Sequence, residues 1–351
     1  MHNYRNTYVE INSNNLFNNI KKIINKYNDY NYYIAVVKAS CYGHNNLDII
    51  QKIIDAGCNY LAVATLDEAL EIRNIYKDIP IICLGIIPVG YLSVAKDNNI
   101  TVTVNSFDYA KNLIKGIKAH IKVNTGMNRL GINNKEELEE TFKLLSNNDI
   151  NIEGIYTHLY EANNKDITNK QIDLFDSLLT DEMKKNIPII HISASEGLVN
   201  YKKLDYVNGC RLGIIMYGFT SDKSLNLEST FSLYSEVIQI NNLKKGESVG
   251  YNGTYVAKED EIIAVVSIGY ADGIIRKNTG REVYINKKAY PIVGNICMDM
   301  LFVKIDNNVH LNDRVVILKD IDHINEVANY LDTIPYEVLC SVSNRVPRII
   351  I

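Results

Sequence analysis

The chain has 351 residues, of which 46% are hydrophobic and 22% are charged, and its net charge is −4. A chain of this composition can bury a full core, and its slight negative charge argues against a nucleic-acid-binding surface. No apolar stretch resembles a signal peptide or approaches the roughly 18 residues of a membrane span, so we expect a cytoplasmic protein. The six cysteines lack metal-ligand spacing, which predicts reduced core residues and no metal.

The first two thirds of the chain alternate short apolar segments with helical patterns, after a predicted helix over 16–28. The predicted strands are rich in Val and Ile and cover residues 32–37, 59–64, 79–85, 100–104, 119–124, 151–158, 187–193 and 209–218. The predicted helices between them cover residues 45–57, 65–76, 107–116, 134–147 and 169–179. The second of these helices begins with capping-box spacing between Thr65 and Glu68.

Eight buried strands alternating with helices predict an α/β fold with an N-terminal (β/α)8 TIM barrel. A doubly wound open sheet is the alternative, but no GxGxxG motif follows the first strand. Beyond Phe219 the predicted strands are joined by short turns, at 232–240, 261–270, 281–294, 300–305 and 314–319, with helical patterns only at 324–331 and 336–342. We expect a barrel over 1–230 and a mostly β C-terminal domain over 231–351, against which residues 1–11 can also pack.

The C-terminal ends of the barrel strands, where barrel enzymes carry their chemistry, hold polar side chains. At or just beyond these ends lie Lys38, Tyr42, Lys122, Arg129, His158, His191, Ser195, Arg211, Gly213 and Tyr217. Each has an ordinary structural explanation, since a single lysine usually reaches solvent and a single histidine in a strand is usually a hydrogen-bonded core residue. Five strand ends with a cationic or titratable side chain at one rim nevertheless predict a binding site.

The residue types at this rim match one cofactor. A lysine desolvated by an apolar strand becomes nucleophilic and forms an imine with an aldehyde. The segments at Ser195 and Gly213 supply hydroxyl and backbone N–H groups for a phosphate, in the loops that usually bind phosphate in such barrels. With Arg211 available for a ring nitrogen, the set predicts pyridoxal 5′-phosphate.

Several blocks of the sequence resemble the alanine racemase family. They are AVVKASCYGHN, KVNTGMNRLGI, GIYTHL, CRLGIIMYG, SIGYADGIIR, PIVGNICMDM and YEVLCSVSNRVPRII, in the family's order and over essentially the whole chain. The resemblance implies a pyridoxal-phosphate-dependent amino-acid racemase that supplies D-amino acids for peptidoglycan precursors. It also implies a homodimer whose active sites lie at the subunit interface.

The matching positions imply two catalytic bases, Lys38, which would also hold the cofactor, and Tyr270, which would reach in from the partner subunit. The implied cofactor-binding residues are Lys38, Tyr42, His158, His191, Ser195, Arg211, Gly213, Ile214 and Tyr217. The implied substrate-binding residues are Arg129, Met298, Asn344, Cys297, Asp299, Tyr290 and Lys122, the last at a position often carbamylated in the family. Two bases suit racemisation, because the proton leaves one face of Cα and returns to the other.

The arginine implied at the ring nitrogen favours racemisation over transamination. A guanidinium, whose pKa exceeds roughly 12, does not give its proton to a pyridine nitrogen. The neutral ring withdraws electrons less strongly than a protonated ring paired with Asp. We therefore expect the carbanion to be reprotonated promptly.

Three positions depart from the family's usual pattern. Ala194 replaces an Asn beside the phosphate site, Asn124 replaces an Asp near the carboxylate site, and Asn344 replaces a Tyr near the substrate's methyl group. Asn344 leaves room for a hydroxyl and can hydrogen-bond it, and a similar exchange occurs in the serine racemases of vancomycin-resistance clusters. We therefore expect activity on serine as well as alanine. Those racemases usually carry a membrane region, so we expect either a free enzyme or the soluble part of a longer protein.

Three alternatives stay open on the sequence alone. One is a strict alanine racemase in which Asn344 is neutral, another is a pyridoxal-phosphate-dependent decarboxylase of related fold, and the third is a non-catalytic carrier of the cofactor. The GYADG segment with Tyr270 argues against a carrier, which needs no second base. The segments GYADGIIR and ICMDM favour the racemase over the decarboxylase.

Overall fold

The computed structural model describes residues 4–45 and 47–351. Within these residues the chain forms two compact units. One unit comprises residues 17–41 and 47–227, and the other comprises residues 4–16, 42–45 and 228–351. The second unit therefore draws on three separate stretches of the chain.

The elements are numbered in chain order. The strands are β1 (Tyr8–Ile11), β2 (Tyr32–Val36), β3 (Tyr60–Val63), β4 (Ile81–Cys83), β5 (Ile100–Val104), β6 (Lys118–Lys122), β7 (Asn151–Tyr156), β8 (Ile189–Ala194), β9 (Gly209–Leu212), β10 (Phe231–Leu243), β11 (Ser248–Val249), β12 (Tyr255–Val256), β13 (Glu261–Val266), β14 (Glu282–Ile285), β15 (Lys288–Val293), β16 (Leu301–Ile305), β17 (Arg314–Leu318) and β18 (Arg348–Ile350). The helices are α1 (Ser13–Lys26), α2 (Lys38–Tyr42), α3 (Ile49–Asp55), α4 (Leu66–Ile75), α5 (Leu92–Asp97), α6 (Phe107–Ala110), α7 (Lys135–Asn147), α8 (Lys165–Leu178), α9 (Asp181–Asn186), α10 (Ser195–Asn200), α11 (Ile321–Leu331) and α12 (Pro335–Ser341). Among the described residues, no helix is both long and apolar enough to cross a bilayer.

The first unit is a closed barrel of eight parallel strands, β2 to β9, which confirms the fold that the alternating pattern predicted. Each strand pairs with the next in chain order, and β9 returns to β2, where Ile34 lies opposite Arg211. The strands are mostly buried, which explains their continuous apolar runs. The predicted capping box is present at the start of α4, since the side chain of Thr65 accepts the N–H of Glu68.

Several predicted elements of the barrel are shorter than expected, and two of them end six residues before their predicted ends. The strand predicted over 209–218 ends at Leu212, because Gly213 has φ −100° and ψ −121° and the residues Ile214–Tyr217 form a 3-10 turn. The helix predicted over 107–116 is reduced to α6, since Gly116 has φ +77° and donates its N–H to Asp149 O instead of continuing the helix.

The second unit is built on an eight-stranded sheet in the order β13-β16-β15-β14-β17-β10-β1-β18, in which β13 also pairs with β10. Its neighbouring strands are antiparallel, except that β1 and β18 run parallel. The N-terminal strand β1 lies between β10 and β18. The hairpin of β14 and β15 turns through Asn286 and Lys287, whose φ values of +51° and +68° suit a two-residue turn. This unit confirms the predicted mostly β character of the C-terminal part.

Candidate active site

The first barrel strand leads into an unusual turn that begins at Lys38. Ala39, Ser40 and Cys41 have φ values of 49°, 51° and 57°, so α2 winds in the left-handed sense. L-residues adopt this conformation at a cost of roughly 1–2 kcal/mol each, and such strain occurs at functional sites. The N–H of Ala39 donates to Glu68 Oε1 over 2.7 Å. Glu68, the capping-box residue at the third position of α4, therefore also holds the turn that begins at Lys38.

Five polar groups share the barrel rim, namely Lys38, Lys122, Arg129, Arg211 and His158. Burial, followed by the charges of the three other cations, lowers the pKa of Lys122 to about 8. Burial, followed by the charges of all four cations, lowers the pKa of His158 to about 3, so this imidazole is neutral at physiological pH. Lys122 and His158 therefore share one electrostatic environment with the three other cations, and all five are residues that the strand ends predicted. Four cations at one rim make it a site for anionic groups.

The guanidinium of Arg211, on β9, is buried and held from several sides. Its NH2 donates to the carbonyl oxygens of Thr157, over 2.8 Å, and Ile192, over 2.7 Å. Its NH1 donates to His191 Nδ1 over 2.6 Å, and His158 Nδ1 lies 3.4 Å from NH2. The two histidines predicted at this site therefore both contact the predicted arginine, which has little freedom to turn.

The residues expected to bind phosphate follow the ends of β8 and β9. Ser195 begins α10 directly after β8, the strand that pairs with β9. Ser195 is 6% exposed, and its Oγ accepts the N–H of Ile215 over 3.4 Å. Ile215 belongs to the 3-10 turn that follows Gly213 and begins at Ile214. The residues expected to bind phosphate in this unit therefore lie together, next to Arg211.

Tyr217 and Tyr42 are both buried. Tyr217 ends the 3-10 turn and hydrogen-bonds the thiol of Cys41, whose pKa burial raises to about 12. This contact ties the turn after β9 to the left-handed turn after β2. Tyr42 ends α2 and lies in the second unit, where its ring packs against that of Tyr336 with a centroid distance of 5.8 Å.

The loop after β6 carries Arg129 and is organised by Asn124. The Oδ1 of Asn124 accepts the N–H groups of Gly126, over 3.2 Å, and Asn128, over 3.0 Å. Its Nδ2 donates to Asn128 Oδ1 over 2.9 Å and to Asn133 Oδ1 over 2.7 Å. A carboxylate cannot donate these two bonds, so Asn124 gives this loop an order that the family's usual Asp would not supply in the same way.

In the second unit, Tyr270 opens a 3-10 turn, Tyr270–Asp272, that lies against Cys297 and Met298. The N–H of Tyr270 donates to Cys297 O over 3.0 Å. A Cβ on Gly269 would lie 2.4 Å from Cys297 O and 2.5 Å from Met298 O, so only glycine permits this approach. Tyr270 is 42% exposed and Met298 is 53% exposed. Three of the predicted residues therefore share one surface of this unit.

The turn that carries Tyr270 is held from below by a buried carboxylate. Asp272 is 0% exposed and accepts two hydrogen bonds from Arg5, over 2.7 and 3.1 Å, and one from Gly269 N–H over 3.0 Å. Arg345 Nε lies 3.3 Å from Asp272, and Arg345 NH2 donates to Asp299 Oδ1 over 2.8 Å. The network therefore brings Asp299, another predicted residue, to the same surface.

Asn344 and Tyr290 have different surroundings. Asn344 is exposed in the turn after α12. Its neighbour Ser343 donates its N–H to Asp272 O over 3.0 Å, so Asn344 lies beside the turn that carries the expected second base. Tyr290 is 5% exposed in β15, where its hydroxyl donates to Asp306 Oδ1 over 2.9 Å. The role of Tyr290 in substrate binding stays a prediction.

Sequence analysis missed several polar residues around these groups, namely the buried His120, Tyr156, Gln171 and Asp272 and the half-buried Glu153. Two of them lie one layer deeper in the barrel, since His120 precedes Lys122 by two positions and Tyr156 precedes His158 by two. Side chains two residues apart in a strand point to the same side. A polar residue two positions before Lys122 and before His158 was therefore the signal that the sequence offered.

The donor set fits pyridoxal 5′-phosphate. Lys38, half-buried at the rim, offers an amine to an aldehyde. Ser195 and the backbone from Gly213 to Ile214 offer a hydroxyl and N–H groups to a phosphate. Arg211 offers a donor that keeps its proton beside a ring nitrogen. Each functional group of the cofactor therefore has a chemically suitable counterpart.

Comparisons with known proteins agree with this chemistry. A family model described as "Alanine racemase, N-terminal domain" matches residues 11–221, and one described as "Alanine racemase, C-terminal domain" matches residues 230–350. The chain is 33% identical to "Alanine racemase 1" of Bacillus subtilis, over 98% of this chain and 93% of that protein. It is 35% identical to the alanine racemase of Listeria monocytogenes, over 98% of each chain.

Comparison with solved structures also points to alanine racemases. The crystal structure of alanine racemase from Bacillus anthracis with bound L-Ala-P matches with a TM-score of 0.93 at 33% identity, over 100% of this chain and 96% of that one. Proteins of this type are isomerases that use pyridoxal 5′-phosphate. With both family models matched and the fold shared over its full length, the chain belongs to the alanine racemase family.

Proposed function

We propose that this chain racemises alanine and serine with pyridoxal 5′-phosphate, as a homodimer that supplies D-amino acids for peptidoglycan precursors. The observation that carries the proposal is the cluster of five polar groups at the barrel rim, where four cations lower the pKa of His158, in a chain of the alanine racemase family. Lys38 and Tyr270 of the partner subunit are the two proposed bases.

The barrel rim is the proposed cofactor site. The phosphate would be bound by Tyr42, Ser195, Gly213 and Ile214, and Tyr217 is a further proposed cofactor-binding residue. Lys38 would hold the aldehyde carbon, and Arg211, supported by His191, would face the ring nitrogen while His158 lies beside the ring. When bound, the cofactor withdraws electrons from the substrate's Cα–H bond. Because the Arg211 guanidinium keeps its proton, it stabilises the ring in place without protonating it, which favours racemisation over transamination.

Two bases on opposite faces of the substrate perform the proton transfers. One base removes the proton from Cα, and the other returns a proton to the opposite face. Lys38 Nζ is assigned to one face and the Tyr270 hydroxyl to the other. The exposure of Tyr270 and Met298, at 42% and 53%, supports a surface that a partner subunit covers. This is the basis for placing Tyr270 in the partner's site.

Arg129 is the proposed receptor of the substrate carboxylate, aided by the Met298 N–H of the partner subunit, and a carbamylated Lys122 is proposed to position Arg129. Cys297, Asp299 and Tyr290 are assigned to the substrate site by family resemblance. The lowered pKa of Lys122, about 8, supplies neutral amine, which is the form that adds to CO2. In that step Nζ bonds to the carbon of CO2 and a proton leaves to solvent. The product replaces a cation among three cations by an anion, which relieves repulsion and gives Arg129 an ion-pair partner.

A lysine variant tests the cofactor site. The enzyme loaded with pyridoxal 5′-phosphate should absorb near ~420 nm. Lys38→Ala should lose this band together with racemase activity, while Lys111→Ala, a change at an exposed lysine of the same unit, should keep both. A retained band in Lys38→Ala would place the cofactor on another amine and contradict the proposal.

Serine activity is assigned to Asn344. This residue is exposed beside the Tyr270–Asp272 turn and can both donate and accept a hydrogen bond. A side chain that hydrogen-bonds the substrate's hydroxyl distinguishes serine from alanine, whereas extra space alone does so weakly. We therefore expect Asn344, rather than the barrel rim, to set the preference between the two substrates.

The test compares kcat/KM for L-serine and L-alanine in the natural protein and in Asn344→Tyr. The substitution should lower the serine-to-alanine ratio by about tenfold or more, the size expected when one hydrogen bond is lost and space is filled. The alternative is a strict alanine racemase, which the names of the relatives favour. An absence of serine turnover, or a ratio unchanged in Asn344→Tyr, would decide for that alternative.

A further inference from the structure

A chain of polar side chains crosses the interior of the barrel below the rim. It consists of Arg211, His191, His120 and Glu153, which we call the barrel relay. Arg211 NH1 lies 2.6 Å from His191 Nδ1, and His191 Nε2 lies 3.1 Å from His120 Nδ1. His120 Nε2 lies 3.7 Å from Glu153 Oε2, which is an electrostatic contact longer than a hydrogen bond. The relay thus joins two charged groups through two imidazoles that are 0% exposed.

The relay has only one possible direction of proton donation. A guanidinium only donates, so His191 Nδ1 accepts from Arg211. Burial lowers the pKa of both imidazoles, so each is neutral and carries one N–H. His191 then has its proton on Nε2 and donates to His120 Nδ1. His120 in turn has its proton on Nε2, the nitrogen nearest to Glu153.

The packing around the relay leaves the rings little freedom. A Cβ on Gly154 would lie 2.5 Å from the His120 ring, so any side chain there would displace this imidazole. The ring of Tyr156 stacks on that of His191, with a centroid distance of 4.6 Å and an angle of 9° between the planes. The two rings are therefore fixed by contacts as well as by their hydrogen bond.

Glu153 provides the negative end of the relay. Its Oε2 accepts the hydroxyls of Tyr60, over 2.6 Å, and Thr101, over 2.8 Å, and Lys118 Nζ lies 3.6 Å from its Oε1. Burial acts to raise the pKa of Glu153, but the donors around it, among them His120, lower the pKa to about 2. The carboxylate is therefore ionised and offsets the charge of Arg211 across two neutral rings.

We propose that Glu153 is a positioning residue for Arg211, and that it acts through His120 and His191 by attracting the last proton of the relay. Its charge polarises both rings in the same direction, which makes His191 Nδ1 a better acceptor and holds the guanidinium in one orientation. The inference rests on the proposed function, because the proposed function assigns Arg211 to the ring nitrogen of the cofactor. The relay itself is independent of that assignment.

Histidine tautomers provide the direct test. In the holoenzyme labelled with ¹⁵N-histidine, both His120 and His191 should show the Nε2–H pattern at neutral pH, with His120→Phe assigning the signals. Glu153→Gln should shift the ¹⁵N signals of both rings and lower kcat roughly tenfold, the effect of one charge-assisted interaction, with KM within about twofold. Tyr60→Phe, which removes a donor to the same carboxylate, should leave kcat within about twofold.

Different outcomes would overturn the relay, the role of Glu153 and the proposed function. An Nδ1–H tautomer or a protonated ring at either histidine would overturn the relay, and this result needs no variant to fold. A folded Glu153→Gln protein with unchanged ¹⁵N signals and unchanged kcat would overturn the role of Glu153. Loss of the proposed function would be recognised differently, by a cofactor band that survives in Lys38→Ala while the tautomers stay as described.

Discussion

The barrel rim and the surface around Tyr270 differ in how completely one chain builds them. At the rim, Lys122 and Arg211 are 5% exposed or less. Lys38 and His158 are half-buried, and Arg129 is exposed. The surface around Tyr270, which we call the Tyr270 surface and which comprises Tyr270, Met298, Asp299 and Asn344, is exposed. Its order comes from the buried network beneath it rather than from contacts made by these side chains.

The rim and the Tyr270 surface are ordered in two different ways. The rim places Lys122 and His158 where burial and neighbouring cations lower their pKa values, so their electrostatic character is set within one barrel. The Tyr270 surface holds its backbone in place through Asp272 but leaves the phenol accessible. A large exposed tyrosine beside an exposed methionine is typical of a surface that another molecule covers. The contrast supports the proposal that the rim binds the cofactor and that the Tyr270 surface completes the active site of the partner subunit.

Removing the phenol hydroxyl of Tyr270 should have the largest effect, because it disables the Tyr270 surface and leaves the rim intact. Tyr270→Phe should lower racemase kcat by about 10²–10⁴-fold, the usual contribution of a general acid or base, while the cofactor band is unchanged. In D₂O, the variant should still exchange the Cα proton of one enantiomer, because Lys38 remains. Tyr251→Phe, at a tyrosine of the same unit that is 71% exposed, is the matched control. Racemisation at the natural rate in Tyr270→Phe would remove the second base from the account.

Asp272 tests whether the turn beneath Tyr270 is held as described. Asp272→Asn leaves Arg5 facing a neutral amide in a buried site, so it should lower the free energy of unfolding by about 3 kcal/mol. Asp299→Asn removes an exposed partner of Arg345 and should cost about 0–1 kcal/mol. Chemical denaturation of both variants measures the difference. Equal effects would show that burial of the Asp272 carboxylate contributes nothing particular.

The pH dependence of carbamate formation at Lys122 tests whether burial and neighbouring cations at the rim lower the pKa of this lysine. Its pKa is lowered from 10.5 to about 8, so the neutral amine becomes the major form as pH rises past about 8 rather than beyond 10.5. Carbamate formation from ¹³C-labelled CO2, followed by NMR, should therefore rise several-fold between about pH 7 and pH 9. The signal should be missing in Lys122→Ala. A rate of carbamate formation that rises by about a hundredfold over this range and keeps rising above pH 9, as the ordinary lysine pKa of 10.5 requires, would show that Lys122 is not desolvated as described.

The sequence was sufficient to predict the barrel and much of its rim, for physical reasons. Continuous apolar strands between helices have few solutions other than a covered parallel sheet, and closing that sheet puts all strand ends at one rim. Lys38, His158 and Arg211 could therefore be grouped before any geometry was known. The end of β9 at Leu212 was not predictable, because Ile214 and Ile215 are as apolar as a strand requires.

Other features of the site depend on contacts between distant parts of the chain. The left-handed turn at Ala39–Cys41 contains no glycine, so local preferences gave no sign of it. Tyr270 is one of 24 tyrosines, and only resemblance to a family singled it out. Glu153 and His120 looked like isolated polar residues in apolar strands. Their connection to Arg211 is visible only in the folded barrel, where His191 links Arg211 to His120 and Glu153.

Mixing two inactive variants tests most directly whether the rim of one subunit works with the Tyr270 surface of another. Lys38→Ala and Tyr270→Phe are each nearly inactive alone, but a heterodimer of the two contains one site with both natural residues. After co-refolding of equal amounts, we predict about a quarter of the natural activity, since about half of the dimers are mixed and each has one working site. Activity no higher than the sum of the separate variants would contradict the account, because it would mean that both bases of a site come from the same chain.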